Sequence, residues 1–383
     1  MRMNFNTVKK VIGVFCAAAV MSSVFVPVSI LAMVSETFSD VPVSLVQMLV
    51  ALPSLIAIVS NFIIAKLATR FYKRYTILAC SAICMIAGIV PVFFHGNFYV
   101  LLVVSVCVGF GMGGIQNGVI ALIADSFEGG LKATVMGMLS LAIGLGALVF
   151  RSVSAALATS GWSNAYLSYL ILIPLFLLQL LFLPKGKLEA KAEKNERTAI
   201  PNVVVWIAFF GFAVYMCYQM FDANVSLVVA ERSLGGTAEI GVASSINAVA
   251  TMLTGLFIVP FVKLFKKQAM TVTFVIMAVG CACMMLAQSI VPVCIAAAFM
   301  AISNALFTVR MNQTVTDVSA AVGMSFNIAF VSCVSNLGQA LSPLVMSAAS
   351  SPFNGSIATK FAIAVALMVV CAVAGFWRFR KEA

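Results

Sequence analysis

Arg151, Asp222 and Arg310 lie deep inside long apolar runs. A charge at the centre of an inserted helix costs about 2.5–3.5 kcal/mol, so residues retained there are the first candidates for chemistry. Arginine presents a planar fork of donors that matches a carboxylate or phosphate. Two deep cations against one deep anion would therefore welcome an anionic group on a ligand. Asp222 is the sole deep carboxylate and the candidate carrier of a coupling proton. Each residue also has a plainer reading. Arg310 and Arg151 can snorkel to opposite surfaces, and Asp222 can be the structural partner of an arginine or polar neighbour.

Other chemistries find no support. Within the apolar runs there is no pair of carboxylates, no H-E-x-x-H and no acid/base cluster, which argues against a membrane-embedded enzyme. No soluble output domain is present, which argues against a receptor. The ten cysteines all fall within apolar runs and form no C-x-x-C pair, so they read as small, soft packing residues. The single histidine, His95, falls in a loop. No cofactor and no metal are expected.

The elements that position these residues follow from composition. Hydrophobic residues make up 63% of the chain and charged residues 9%, against about 25% charged in soluble domains. A water-facing surface cannot be built from that material, so lipid is the solvent. A bilayer-crossing helix needs about 20 apolar residues. Twelve such spans are predicted, at 11–34, 44–68, 75–94, 98–124, 133–157, 162–183, 203–229, 238–262, 269–290, 292–316, 320–346 and 357–377. The runs are continuously apolar rather than alternating, which predicts helices and not a barrel. The first run follows Lys9 and Lys10 but exceeds the roughly 7–15 residues of a signal core, and no A-x-A site follows it. It is expected to remain as an uncleaved helix.

Twelve spans put both termini on one side. Of the 23 basic residues all but four fall on that side: Arg232 and Lys360 lie opposite, and Arg151 and Arg310 lie within spans. The positive-inside rule then predicts a multi-pass protein of the cytoplasmic membrane with both termini in the cytoplasm. It also accounts for the net charge of +11 without nucleic acid.

The longest polar stretch, Pro184–Thr198, lies between spans six and seven. Residues 1–184 and 201–383 are read as two six-helix halves, with 185–200 as a charged cytoplasmic linker. The halves resemble each other. Thr69-Arg-Phe-Tyr-Lys-Arg74 after span two parallels Val262-Lys-Leu-Phe-Lys-Lys267 after span eight. Gly144-Leu-Gly-Ala-Leu-Val-Phe-Arg151 parallels Asn336-Leu-Gly-Gln-Ala-Leu-Ser-Pro343 at nearly the same offset. Repeated helical halves with a binding site between them are a transporter architecture.

On span count, inside termini, linker and repeat, the whole chain resembles the major facilitator superfamily. That superfamily carries G-x-x-x-D-R-x-G-R-R between spans two and three, where this chain reads Ala65-Lys-Leu-Ala-Thr-Arg-Phe-Tyr-Lys-Arg74. The basic positions Arg70, Lys73 and Arg74 are kept, while Ala65, Thr69 and Tyr72 replace Gly, Asp and Gly. The resemblance implies that this loop, with Lys263, Lys266 and Lys267 in the second half, helps hold one arrangement of the halves. Its drug antiporters carry an arginine where this chain has Ser105, and a G-P pair where it has Phe150-Arg151. Both departures point away from that subgroup. Gly109-Phe-Gly-Met-Gly-Gly114, Gly144 and Gly146 are read as close-packing positions and not as a phosphate loop.

The resemblance further implies a cavity lined by spans one, four, seven and ten. It brings Gln116, Asn117, Tyr215, Tyr218, Gln219, Asp222, Asn304 and Arg310 forward as lining residues, with Arg151 as a further substrate candidate. Neutral polar residues in spans also serve as helix–helix glue. The expected function is secondary active transport of a small organic solute, anionic by preference, through rocking alternating access. The rival within the class is a proton-driven exporter of drugs or amphiphiles. Substrate, lipid and coupling protons are the expected partners of a monomer.

Overall fold

Continuous apolar runs in lipid can satisfy their backbone only internally, and the helix does this within one segment. The computed structural model describes residues 5–67, 70–127, 129–186, 200–265, 268–318 and 324–380, and these are helix joined by short connections. The helices are α1 (Phe5–Val20), α2 (Leu31–Thr37), α3 (Val43–Leu67), α4 (Lys73–Phe93), α5 (Phe98–Ser126), α6 (Gly129–Ala158) and α7 (Leu172–Phe182). The second set is α8 (Asn202–Glu231), α9 (Thr237–Phe265), α10 (Ala269–Met285), α11 (Ile290–Val318), α12 (Met324–Ser350) and α13 (Ile357–Arg380). Among the described residues, nine helical segments are long and apolar enough to cross a membrane, and α10, at 17 residues, is apolar but shorter.

The first predicted span is not one α-helix. A 3₁₀ segment, Met21–Ser29, interrupts it between α1 and α2. The local sequence contributes to the break, because Pro27 lacks an N–H. Neighbouring helices take up the altered backbone. The Tyr169 hydroxyl donates to the Ser23 carbonyl at 3.0 Å, and Ser154 donates to the Val26 carbonyl at 2.7 Å. The sixth span likewise begins as a 3₁₀ segment, Trp162–Ile171, before α7.

The chain forms two compact units. The first comprises Met1–Val34 and Leu52–Lys194. Its α5 uses glycine to approach two neighbours: a Cβ at Gly109 would lie 2.5 Å from the Cα of Pro53, and one at Gly111 2.3 Å from the Cys84 sulfur. The second comprises Ser35–Ala51 and Asn195–Ala383. There α8 and α12 pack so closely that a Cβ at Gly338 would lie 2.2 Å from the Phe212 carbonyl oxygen. Helix α3 therefore contributes its first turns to one unit and the remainder to the other.

Candidate functional site

A buried polar array lies in the second unit, along α8. Gln219 and Asp222 are each 1% exposed. Gln219 donates through Nε2 to the Val50 carbonyl at 3.1 Å and accepts through Oε1 from Gln339 Nε2 at 2.8 Å. At the adjacent position, the Tyr218 hydroxyl donates to Asn247 Oδ1 at 2.9 Å, and Asn247 Nδ2 passes the chain to the Ala297 carbonyl at 3.1 Å. Tyr215 is half-buried and shares a 3.0 Å hydrogen bond with Thr308 of α11. Thr308 itself bonds the Asn304 carbonyl at 2.7 Å, and the Asn304 Oδ1 is buried without a hydrogen bond among the described residues. Gln47 and Asn224 complete the array through a 2.6 Å amide–amide bond. Helical spacing explains the clustering: residues 215, 218, 219 and 222 share one face of α8.

Tyr215, Tyr218, Gln219, Asp222 and Asn304 thus lie within one unit on helices that face each other. Arg310 also lies on α11 but about two turns from Asn304, half-buried, with its guanidinium Nη1 donating to Gln313 Oε1 at 3.1 Å.

The remaining candidates are in the first unit. Arg151 is 2% exposed, so its side chain does not reach the surface. Its guanidinium carbon sits 4.1 Å from the centroid of the Phe25 ring, within the broken first span. Apolar surroundings strengthen such a cation–π contact. Gln116 is half-buried and Asn117 exposed on α5.

A sequence match decides the family. The pattern of the Major Facilitator Superfamily matches residues 11–236 and 207–383. The chain belongs to the Major Facilitator Superfamily. Solved members with the same fold include a bacterial homologue of the human lysosomal transporter Spinster, in an inward-facing and unoccupied conformation. It is 14% identical, covers 99% of this chain and 98% of its own, and has a TM-score of 0.75. The nucleoside transporter NupG is 13% identical over 97% of this chain and 99% of its own, with a TM-score of 0.79. At such identities the likeness is one of fold. Among curated proteins, the glucose/mannose transporter GlcP of Bacillus subtilis (strain 168) is 26% identical over 154 residues, which is 40% of this chain and 38% of that protein.

Within this superfamily the loop after span two is of interest, and the structure supplies an acid absent from its sequence pattern. Lys73 is 5% exposed and pairs with Asp125, at the end of α5, at 2.8 Å. Arg74 turns instead to the Leu180 carbonyl, and Arg70 is exposed. Lys266 and Lys267 lie outside the described residues, as does the side chain of Lys263.

Sequence reasoning missed Asp125, Gln47, Asn224, Asn247 and Gln339. The available signal was weak: each is a polar residue in or at the end of an apolar run, and so are many residues that serve only as glue.

Proposed function

We propose that this secondary transporter carries a small, neutral, hydroxyl-rich solute across the cytoplasmic membrane by alternating access. The observation that carries the reading is the neutral array of Tyr215, Tyr218, Gln219, Asn247 and Gln339, in which amides and phenols both donate and accept. A sugar-like hydroxyl needs that dual character, because it too donates and accepts. The glucose/mannose transporter among the relatives supports the same class. The two halves read from the sequence, 1–184 and 201–383, move against each other about the linker 185–200. Both termini are cytoplasmic, as the basic-residue asymmetry indicates.

A second reading, transport of an anionic solute, is favoured by one observation: Arg151 is retained at 2% exposure. Counterflow in proteoliposomes separates the two. Trapped neutral hexoses or polyols are expected to drive uptake of the labelled solute, and small carboxylates are not. Removing a hydrogen-bonding partner from a site built for hydroxyls penalises binding strongly, so Gln219→Leu should abolish that uptake. Counterflow with carboxylates alone, lost in Arg151→Met and Arg310→Lys, would replace the first reading with the second.

A further inference from the structure

The hydrogen bonds that hold Tyr215 run in a fixed direction. Thr308 has one hydroxyl proton and donates it to the Asn304 carbonyl at 2.7 Å, an oxygen that only accepts. The 3.0 Å contact between Tyr215 and Thr308 therefore runs from the Tyr215 hydroxyl to Thr308 Oγ1. A phenol has no second proton, so the Tyr215 oxygen meets any further partner as an acceptor. The same rule governs the neighbouring phenol. Asn247 Nδ2 donates to the Ala297 carbonyl at 3.1 Å, which turns its Oδ1 to receive the Tyr218 proton at 2.9 Å. In both cases a backbone carbonyl at the end of the chain of bonds decides the sense.

A second acceptor lies on α11, one turn from Thr308. The Oδ1 of Asn304 is buried with no hydrogen bond among the described residues. Leaving a buried acceptor unpaired is costly, and a donor brought by a ligand removes that cost. By helical spacing, Asn304 and Thr308 lie on the side of α11 opposite the exposed Val291, Ile295 and Phe299, and so away from lipid. Tyr215, Asn304 and Thr308 are each half-buried rather than enclosed. The terminal torsion of an asparagine side chain is soft, so Oδ1 turns to a ligand without a shift of the helix.

We propose that Tyr215 and Asn304 form an acceptor pair between α8 and α11 that recognises a solute through a hydrogen-bond donor, a hydroxyl or an amine, and that Thr308 is the positioning residue that sets this sense. The inference rests on the reading of a neutral, hydroxyl-rich solute and deepens it. A hydroxyl offers one proton and two lone pairs, and this subsite reads the proton. Fluorine in place of a hydroxyl gives no proton and loses the contact. An amino group in the same place still gives one and keeps it.

Calorimetric titration of the purified full chain tests this with glucose, mannose and galactose, and with derivatives of each in which one hydroxyl at a time is replaced by fluorine or by an amino group. At one ring position or more, the amino derivative is expected to bind within about threefold of its parent hexose and the fluoro derivative about tenfold more weakly, the loss for one buried hydrogen bond. Thr308→Val leaves the Tyr215 proton without its acceptor and so available to the ligand. It should bring the fluoro derivative back to within about threefold of the hexose, while Thr308→Ser, which keeps the hydroxyl, should keep the gap. A loss of packing alone would weaken both ligands together and leave their ratio unchanged. Equal binding of fluoro derivative and hexose at every position overturns the acceptor pair while the hydroxyl-rich reading stands. So do amino derivatives that weaken as much as the fluoro ones throughout, or an unaltered ratio in monodisperse Thr308→Val protein. Amino derivatives that bind where no hexose does overturn that reading and leave the pair. Binding by no member of the panel overturns both.

Discussion

Lys73 Nζ lies 2.8 Å from Asp125 Oδ2, joining the start of α4 to the end of α5 with side chains 6% and 19% exposed. The contact puts a carboxylate beside a basic loop whose own acidic position is occupied by Thr69. Gly186 closes over the pair in a left-handed conformation, φ +72°, where a Cβ would lie 2.8 Å from Leu122 and 3.4 Å from Asp125 Oδ2.

Asp125→Asn is expected to lower stability by about 2–4 kcal/mol, because it leaves a buried ammonium without its counter-charge. Thermal unfolding of purified protein measures this. The exchanged pair Lys73→Asp with Asp125→Lys should recover part of the loss. A midpoint for Asp125→Asn equal to that of the parent would show that the ion pair contributes nothing.

Arg232 gathers three carbonyls at the end of α10: Met284 at 3.3 Å, Met285 at 3.0 Å and Ala287 at 2.6 Å. A cation there satisfies terminal carbonyls and complements the helix dipole. Arg232→Ala should cost about 1.5–3 kcal/mol, the range for hydrogen bonds to a charged group. Arg232→Lys should recover only part, since an ammonium cannot fork across three acceptors. The check is the thermal midpoint of both variants, and full recovery by lysine would reduce the effect to charge alone.

The Arg151–Phe25 contact, 4.1 Å from guanidinium carbon to ring centroid, invites a double-mutant cycle. Arg151→Met and Phe25→Leu should each destabilise, and their coupling should be about 1–2 kcal/mol for a desolvated cation–π pair. Additivity within about 0.3 kcal/mol would mean that the ring merely fills space.

Asp222 is 1% exposed on the same face of α8 as Gln219. With Asp222 as the proton carrier, Asp222→Asn abolishes accumulation driven by a pH gradient. Exchange of labelled for unlabelled solute survives, because asparagine keeps the size and most of the hydrogen bonding. Liposome flux with and without a gradient reads both. Gradient-driven accumulation by well-folded Asp222→Asn protein would remove the proton role.

The all-helical membrane fold was legible in the residues before any coordinate. With 63% hydrophobic and 9% charged residues, lipid is the only solvent the chain can accept, and lipid admits few backbone solutions. The deep positions of Arg151 and Asp222 were legible for the same reason, since a charge within an apolar run stands out locally. Their surroundings were not. Gln47 and Asn224 are 177 residues apart, and Tyr169 and Ser23 are 146 apart. Hydropathy reports how apolar a segment is and says little about which face of it meets which neighbour. The break at Met21–Ser29 escaped for a related reason: a 3₁₀ turn is as apolar as an α-helical one, and it persists because Tyr169 and Ser154 reach its carbonyls. Composition determined the solvent and therefore the helices. Packing alone decided which amides and carbonyls pair, because a buried hydrogen bond forms only where the tertiary fold brings donor and acceptor within about 3 Å.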